Sequence, residues 1–127
     1  MSFSEDDLAL LDAAEEVDIE TQAPDKPARR TTIWVVVDDG EVYVRSVRGE
    51  QGRWYQDALA NSTVALIVGG KRHVGGKRLV ATAIPATDPD SIERVSGALR
   101  RKYADIPGFA PMIKPDVLDT TLRLEPA

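Results

Sequence analysis

Asp39-Gly40 stands between two runs rich in β-branched residues, Thr31 to Val37 and Glu41 to Ser46. A two-residue Asp-Gly link is a strong hairpin signal, because glycine adopts positive φ without a Cβ clash. The two runs read as paired antiparallel strands, with Trp34 in the middle of the first. In the return strand Val42 and Val44 share one face, and Tyr43 and Arg45 the other. With the valines turned to a core, Arg45 is expected on the rim or in a groove.

The rest of the chain extends this antiparallel start. Val17 to Thr21 alternates apolar and acidic residues as a half-buried strand does. The segment APDKPARR breaks the pattern twice with proline and reads as a loop. Thr63 to Val68 is almost wholly apolar and reads as a central strand; Arg78 to Ala86 and Thr120 to Leu124 alternate again. Three helices are predicted. Ser4 caps the first, whose apolar face carries Leu8, Leu11 and Ala14. Arg53 to Ala60 is the second, with Asn61 as its C-terminal cap. Asp88-Pro89 starts the third, along which Ile92, Val95, Leu99 and Tyr103 recur at helical spacing. Six strands with only one helix between consecutive strands suit a small antiparallel barrel with peripheral helices better than a parallel α/β sheet. A length of 127 residues suits one domain. That domain comprises an N-terminal helix over 1–16 and a barrel over 17–127.

Composition removes several function classes. The chain has no cysteine, which excludes a disulfide scaffold, thiol catalysis and cysteine metal ligands. His73 is the only histidine, so the usual zinc site has too few ligands and no metal is expected. No apolar run approaches the roughly 18 residues of a membrane span, and the acidic MSFSEDD start argues against export, so a cytoplasmic location is expected. The net charge of −5 is unevenly spread. Acids crowd the segment before Arg29, whereas Arg29 to Arg78 is mostly basic. An acidic front repels a polyanion, so the basic middle favours a local anion site and not a nucleic-acid surface.

That site is expected after the second hairpin strand. Arg45, Arg48 and Arg53 stand among Ser46, Gly49 and Gly52, just where a helix begins. A helix N-terminus presents free N–H groups and a positive dipole end, so an adjacent arginine cluster favours a bound anion, usually a phosphate. The alternative is a solvated loop whose arginines pair with Glu50, Asp57 or the acidic N-terminal helix. Trp34 and Trp54 read as core or interface residues. KRHVGGKR, Lys71 to Arg78, lacks the GxxxxGK[ST] phosphate pattern and reads as a hairpin turn. The carboxylates of residues 5 to 20 read as a solvated face.

The order of strand, hairpin, strand, basic loop, short helix and strand resembles the split β-barrel flavoproteins related to pyridoxamine phosphate oxidase. WYQDALANSTVALIVGG, Trp54 to Gly70, is similar to the WYxNLxANPxVxxxVGG stretch of their deazaflavin-dependent nitroreductase-like branch. Asp57, Ala58 and Ser62 replace that pattern's Asn, Leu and Pro. The whole chain, with its TTLRLEP ending, looks most like a small uncharacterised bacterial family of this layout. The resemblance implies an α+β, mainly β, six-stranded antiparallel split barrel that forms a homodimer. It also implies FMN or F420 in a groove at the dimer interface. By position, Arg30, Thr31 and Thr32 stand at the second-strand place of that groove. Arg45, Ser46, Arg48 and Arg53 stand at the phosphate place, and Trp34 and Trp54 shape the ring pocket. Val47-Arg48-Gly49-Glu50 is bulkier than the family's small-residue run, and Glu50 opposes a phosphate unless it turns outward or pairs with an arginine. The implied activity is hydride transfer to a small organic substrate. The alternative is a non-catalytic dimeric split barrel that binds another small anionic ligand, or a protein partner through the acidic helix.

Overall fold

The computed structural model describes residues 2–69 and 76–127. Helix α1 (Glu5–Ala13) leads into β1 (Val17–Thr21), β2 (Arg29–Ile33), β3 (Val36–Asp38) and β4 (Glu41–Val44). A 3-10 turn at Gly49–Gln51 precedes α2 (Arg53–Ala60), which is followed by β5 (Thr63–Val68), β6 (Lys77–Pro85) and α3 (Pro89–Tyr103). A second 3-10 turn (Ala110–Ile113), α4 (Pro115–Leu118) and β7 (Leu122–Pro126) complete the chain. The KRHVGGKR turn and His73 lie outside the described residues, except that Lys77 and Arg78 begin β6 and pair with Asp7 and Glu20.

The seven strands among the described residues pair antiparallel in one sheet of order β2-β1-β5-β6-β7-β4-β3. The expected antiparallel barrel class holds, with seven strands instead of six. The difference lies at Trp34-Val35, where the run Thr31 to Val37 breaks in two. Strand β2 pairs with β1, while β3 pairs with β4 at the opposite edge of the sheet. Two edges joined by two residues must meet in space, so the sheet curls and Trp34-Val35 is its closing seam. The seam's backbone is served by α3: Val35 N–H donates to the Tyr103 hydroxyl at 3.2 Å, and Lys102 Nζ donates to Val35 O at 2.8 Å. Tyr103 is within reach of Glu15 O at 2.7 Å and Lys102 of Leu11 O at 3.1 Å, which fastens the end of α1 at the same point.

The hairpin turn is built as its sequence demands, with φ of 51° at Asp39 and 76° at Gly40. The Ser4 side chain caps α1 and that of Asp88 caps α3. Strand parity divides the apolar residues between two cores. Val42 and Val44 join Ile19, Leu66, Ala81 and Leu124 inside the curl. Tyr43 and Val36 face outward and are covered by Val95, Leu99 and Tyr103 of α3. Among the described residues no helix is long and apolar enough to cross a membrane.

Candidate functional site

A cleft of about 520 Å³ opens between β2, the seam and the segment linking β4 to α2. This volume falls within the ~300–1,000 Å³ of small-molecule sites. Ile33, Trp34, Val47, Trp54 and Met112 form its apolar wall, and Arg29, Arg45, Ser46, Arg48 and Arg53 its polar one. Glu16 is the one carboxylate among the described lining residues.

The polar wall is a loop under tight local control. Gly49 N–H donates to Ser46 O and Gly52 N–H to Gly49 O, folding residues 46–52 back on themselves. Gly49 has φ of 65°, and a Cβ there would meet Asp116 O at 3.0 Å. Ser46 N–H donates to Thr120 Oγ1 at 3.0 Å. Gly52 is the N-cap of α2 and offers no side-chain acceptor, so the first N–H groups of α2 have no helical partner. A Cβ at Gly52 would stand 2.3 Å from Ser46 Oγ. That hydroxyl is buried without a hydrogen-bond partner among the described residues, a costly state inside a protein. A cradle that only glycine fits, an orphaned hydroxyl and an uncapped helix start together match an anionic group.

The four arginines expected at this site, Arg30, Arg45, Arg48 and Arg53, divide by geometry. Arg48 and Arg53 line the cleft, are exposed and have no ion pair or side-chain hydrogen bond among the described residues. Glu50 is exposed and lies outside the cleft lining, with its carbonyl accepting from Gln56. Asp57 accepts from Arg29 Nε at 3.2 Å and from Thr21 Oγ1 at 3.1 Å. The carboxylates proposed to neutralise the loop are therefore engaged elsewhere or turned away. Arg30 is not brought to the cleft; it pairs with Glu20 at 3.1 Å on the outer face. Thr32 lines the cleft and donates to Asp18 at 2.8 Å.

Of the two places expected for Arg45, rim or groove, it takes the groove: its side chain follows Tyr43 to the outward face, as parity demands, and lines the cleft while only 2% exposed. The second core extends over it. Nε donates to Thr121 Oγ1 at 2.9 Å, Nη1 to Ser96 Oγ at 3.0 Å and Met112 O at 2.9 Å, and Nη2 to Ile92 O at 3.2 Å. Burial pulls its pKa down to about 10, which leaves it charged at neutral pH.

Trp34 stacks on Tyr103 with ring centroids 4.1 Å apart and planes 2° apart. Burial raises the Tyr103 pKa to about 12, so its hydroxyl stays neutral. Trp54 is buried in the inner core and also walls the cleft, meeting Tyr55 edge-on. The two readings of each tryptophan, packing and pocket wall, are thus combined. Sequence reasoning missed Tyr103, Thr120, Thr121 and Glu16 as supports or lining; the adjacent threonines before the last strand were the only local sign. Among the described residues no cluster of three metal-ligating side chains occurs.

A family model described as an uncharacterized protein conserved in bacteria (DUF2255) matches residues 7–124, and the chain belongs to that family. No curated protein matches the sequence. Among solved structures, the fold is similar to that of a candidate pyridoxamine 5'-phosphate oxidase from Listeria innocua. That match has TM-score 0.69 and 15% identity, covering 96% of this chain and 91% of that one. The heme storage protein HutZ from Vibrio cholerae matches with TM-score 0.71 and 12% identity, over 100% and 92% of the two chains. An F420-H2 dependent reductase matches with TM-score 0.61 and 16% identity, over 87% and 94%. These likenesses establish the split-barrel fold.

Proposed function

We propose that the cleft binds a flavin-type cofactor, FMN or F420, and that the protein is an oxidoreductase acting on a small organic substrate. The carrying observation is the cradle: Arg48 and Arg53, unpaired among the described residues, the orphaned Ser46 hydroxyl and the uncapped start of α2, all beside a tryptophan wall. When bound, the cofactor supplies the hydride chemistry. Arg48 and Arg53 hold its phosphate by charge-assisted hydrogen bonds. Gly52 lets the backbone approach, and Trp34 orients the ring against a face already stiffened by Tyr103. Ile33, Trp54 and Met112 keep water from the ring side of the cleft. The same reading includes a homodimer. Val47 at the cleft, 52% exposed, and Val80 on β6, 43% exposed, are apolar surface that such an association covers.

Titration of the purified protein with FMN and with F420 tests this. Arg48→Ala and Arg53→Ala each weaken binding by ~1–3 kcal/mol, whereas Arg30→Ala leaves it unchanged. Uptake of neither cofactor ends the flavin reading, and a monomer by light scattering ends the dimer. A second reading is a binding domain without catalysis, favoured by the heme storage protein that shares this fold. Stoichiometric binding with no turnover across a panel of small organic oxidants would support it.

A further inference from the structure

We propose that Arg45 is a fixed counter-charge, buried in the cleft wall, that makes the site select a phosphomonoester dianion over a phosphodiester or an uncharged analogue. The inference rests on the anion-site reading given above and identifies which anion the site takes.

Arg45 differs from its neighbours in being immobile. Four hydrogen bonds tie it to Thr121 just before β7, to α3 and to the second 3-10 turn. Every acceptor is neutral: two hydroxyls and two backbone carbonyls. Burial alone perturbs the guanidinium, with no carboxylate contributing. A buried charge that is hydrogen-bonded but, among the described residues, has no opposite charge beside it is electrostatically unfinished. Arg45 also lines the cleft, so an anion seated there supplies what the fold withholds. Arg48 and Arg53 are exposed and flexible in reach, so they adapt to any anion. Arg45 acts chiefly through its field, since four of its five N–H groups are taken by protein acceptors.

The charge balance sets the preferred ligand. Arg29 is neutralised by Asp57. Arg45, Arg48 and Arg53 against Glu16 leave a net positive charge of about two in the lining, judged from formal charges at neutral pH. A phosphomonoester above its second pKa of about 6 carries close to two negative charges, whereas a diester carries one. One further unit charge at about 8 Å, in an effective dielectric of about 20, changes affinity by on the order of 30-fold. Salt screening reduces this to about tenfold for a partly exposed cleft.

Binding of FMN, riboflavin and riboflavin 4′,5′-cyclic phosphate, a diester with one negative charge, at pH 8 tests the proposal. Trp34 and Trp54 are the chain's two tryptophans and both line the cleft, so intrinsic fluorescence reads the site directly. FMN is expected to bind about tenfold or more tighter than riboflavin or the cyclic diester. Arg48 and Arg53 still hold the phosphate in Arg45→Met, so that variant should lose about tenfold of the FMN preference while leaving riboflavin affinity within a few-fold, and Arg45→Lys should restore part of it. A merely structural role would weaken all three ligands alike. Equal affinity for FMN and riboflavin in the wild type overturns the counter-charge, as does an Arg45→Met protein, folded by circular dichroism, that keeps the wild-type ratio. If Arg45→Met does not fold, Arg45→Lys decides: a ratio between one and the wild-type value supports the proposal, and a weakening uniform across ligands overturns it. Phenyl phosphate against benzenesulfonate separates this proposal from the flavin reading. Preference for the dianionic phosphate with no flavin uptake keeps the counter-charge and ends the flavin reading. Binding of neither, or of both equally, overturns the counter-charge.

Discussion

Tyr103→Phe isolates one hydroxyl at the seam that closes the barrel. In the wild type that oxygen accepts from Val35 N–H at 3.2 Å and lies 2.7 Å from Glu15 O and 3.0 Å from Val35 O. Its single proton serves one carbonyl at a time. The phenyl ring preserves the volume and the stack on Trp34, so no cavity forms. What changes is Val35, which is 0% exposed and loses its hydrogen-bond acceptor. A buried donor left without a partner costs ~1–3 kcal/mol. Glu15 is exposed, so water replaces the lost donor there at little cost. Val35 O keeps Lys102. The expected loss is therefore about 2 kcal/mol, all from one N–H. For a domain of this length that lowers Tm by about 5–10 °C and the urea midpoint by about 1 M, with no change in m. Urea unfolding followed by circular dichroism measures it. Because Trp34 keeps its stacking partner, affinity in the cleft should stay within a factor of about two, read on the same preparation. A loss under about 0.5 kcal/mol would refute the view that the seam depends on this hydroxyl. A large loss of binding would show instead that Tyr103 sets the position of Trp34 through more than its ring.

Two further outcomes follow from the same contacts. Gly52→Ala places a Cβ 2.3 Å from Ser46 Oγ, so the serine must rotate or the loop shift. Calorimetric titration with FMN should show binding weakened by at least about tenfold, with Tm lowered by no more than a few degrees, and unaltered affinity would remove the cradle from the site. Glu20 is held below its ordinary pKa of 4.5, chiefly by Arg78 and then by Arg30. A lowered native pKa gives stability that is present above 4.5 and lost as pH falls through the native value. Glu20→Gln should therefore destabilise the protein at pH 7 and cease to matter in strong acid. Urea melts at the two pH values check this, and a pH-independent difference would contradict it.

Much of this architecture is legible in local sequence because local chemistry decides it. Asp39-Gly40 can hardly be anything but a tight turn, and Ser4 and Asp88 cap the helices they precede. Strand parity placed Val42, Val44 and Arg45 on their observed sides. Two features were not legible for one shared reason. Nothing in Thr31 to Val37 breaks a strand; the break at Trp34-Val35 is imposed by the meeting of two distant sheet edges. Likewise nothing near Arg45 announces burial, because its cover comes from Ile92, Ser96 and Met112. A clue existed in the third helix. Its stripe of Val95, Leu99 and Tyr103 needed an apolar partner, and Tyr43 on the outward face of β4 was available. A helix that covers Tyr43 reaches the next residue on that face, which is Arg45.

The distribution of ion pairs gives the cleft its meaning. Glu20 takes Arg30 and Arg78, Asp57 takes Arg29, Asp38 takes Arg94 and Arg101, and Asp7 takes Lys77. In an acidic chain there is no shortage of carboxylates, yet none of those pairs serves Arg45, Arg48 or Arg53. Three cations gathered around one concavity repel one another and destabilise the free protein. Such an arrangement persists at no penalty only when an anion completes it, and whatever binds the native state alone then raises its stability. The loop that displays these arginines is fixed by Gly49, Gly52 and Thr120 and not by the charges themselves. The backbone holds the cations together against their repulsion, so the positive cleft exists before its ligand arrives, and binding needs little rearrangement of the wall.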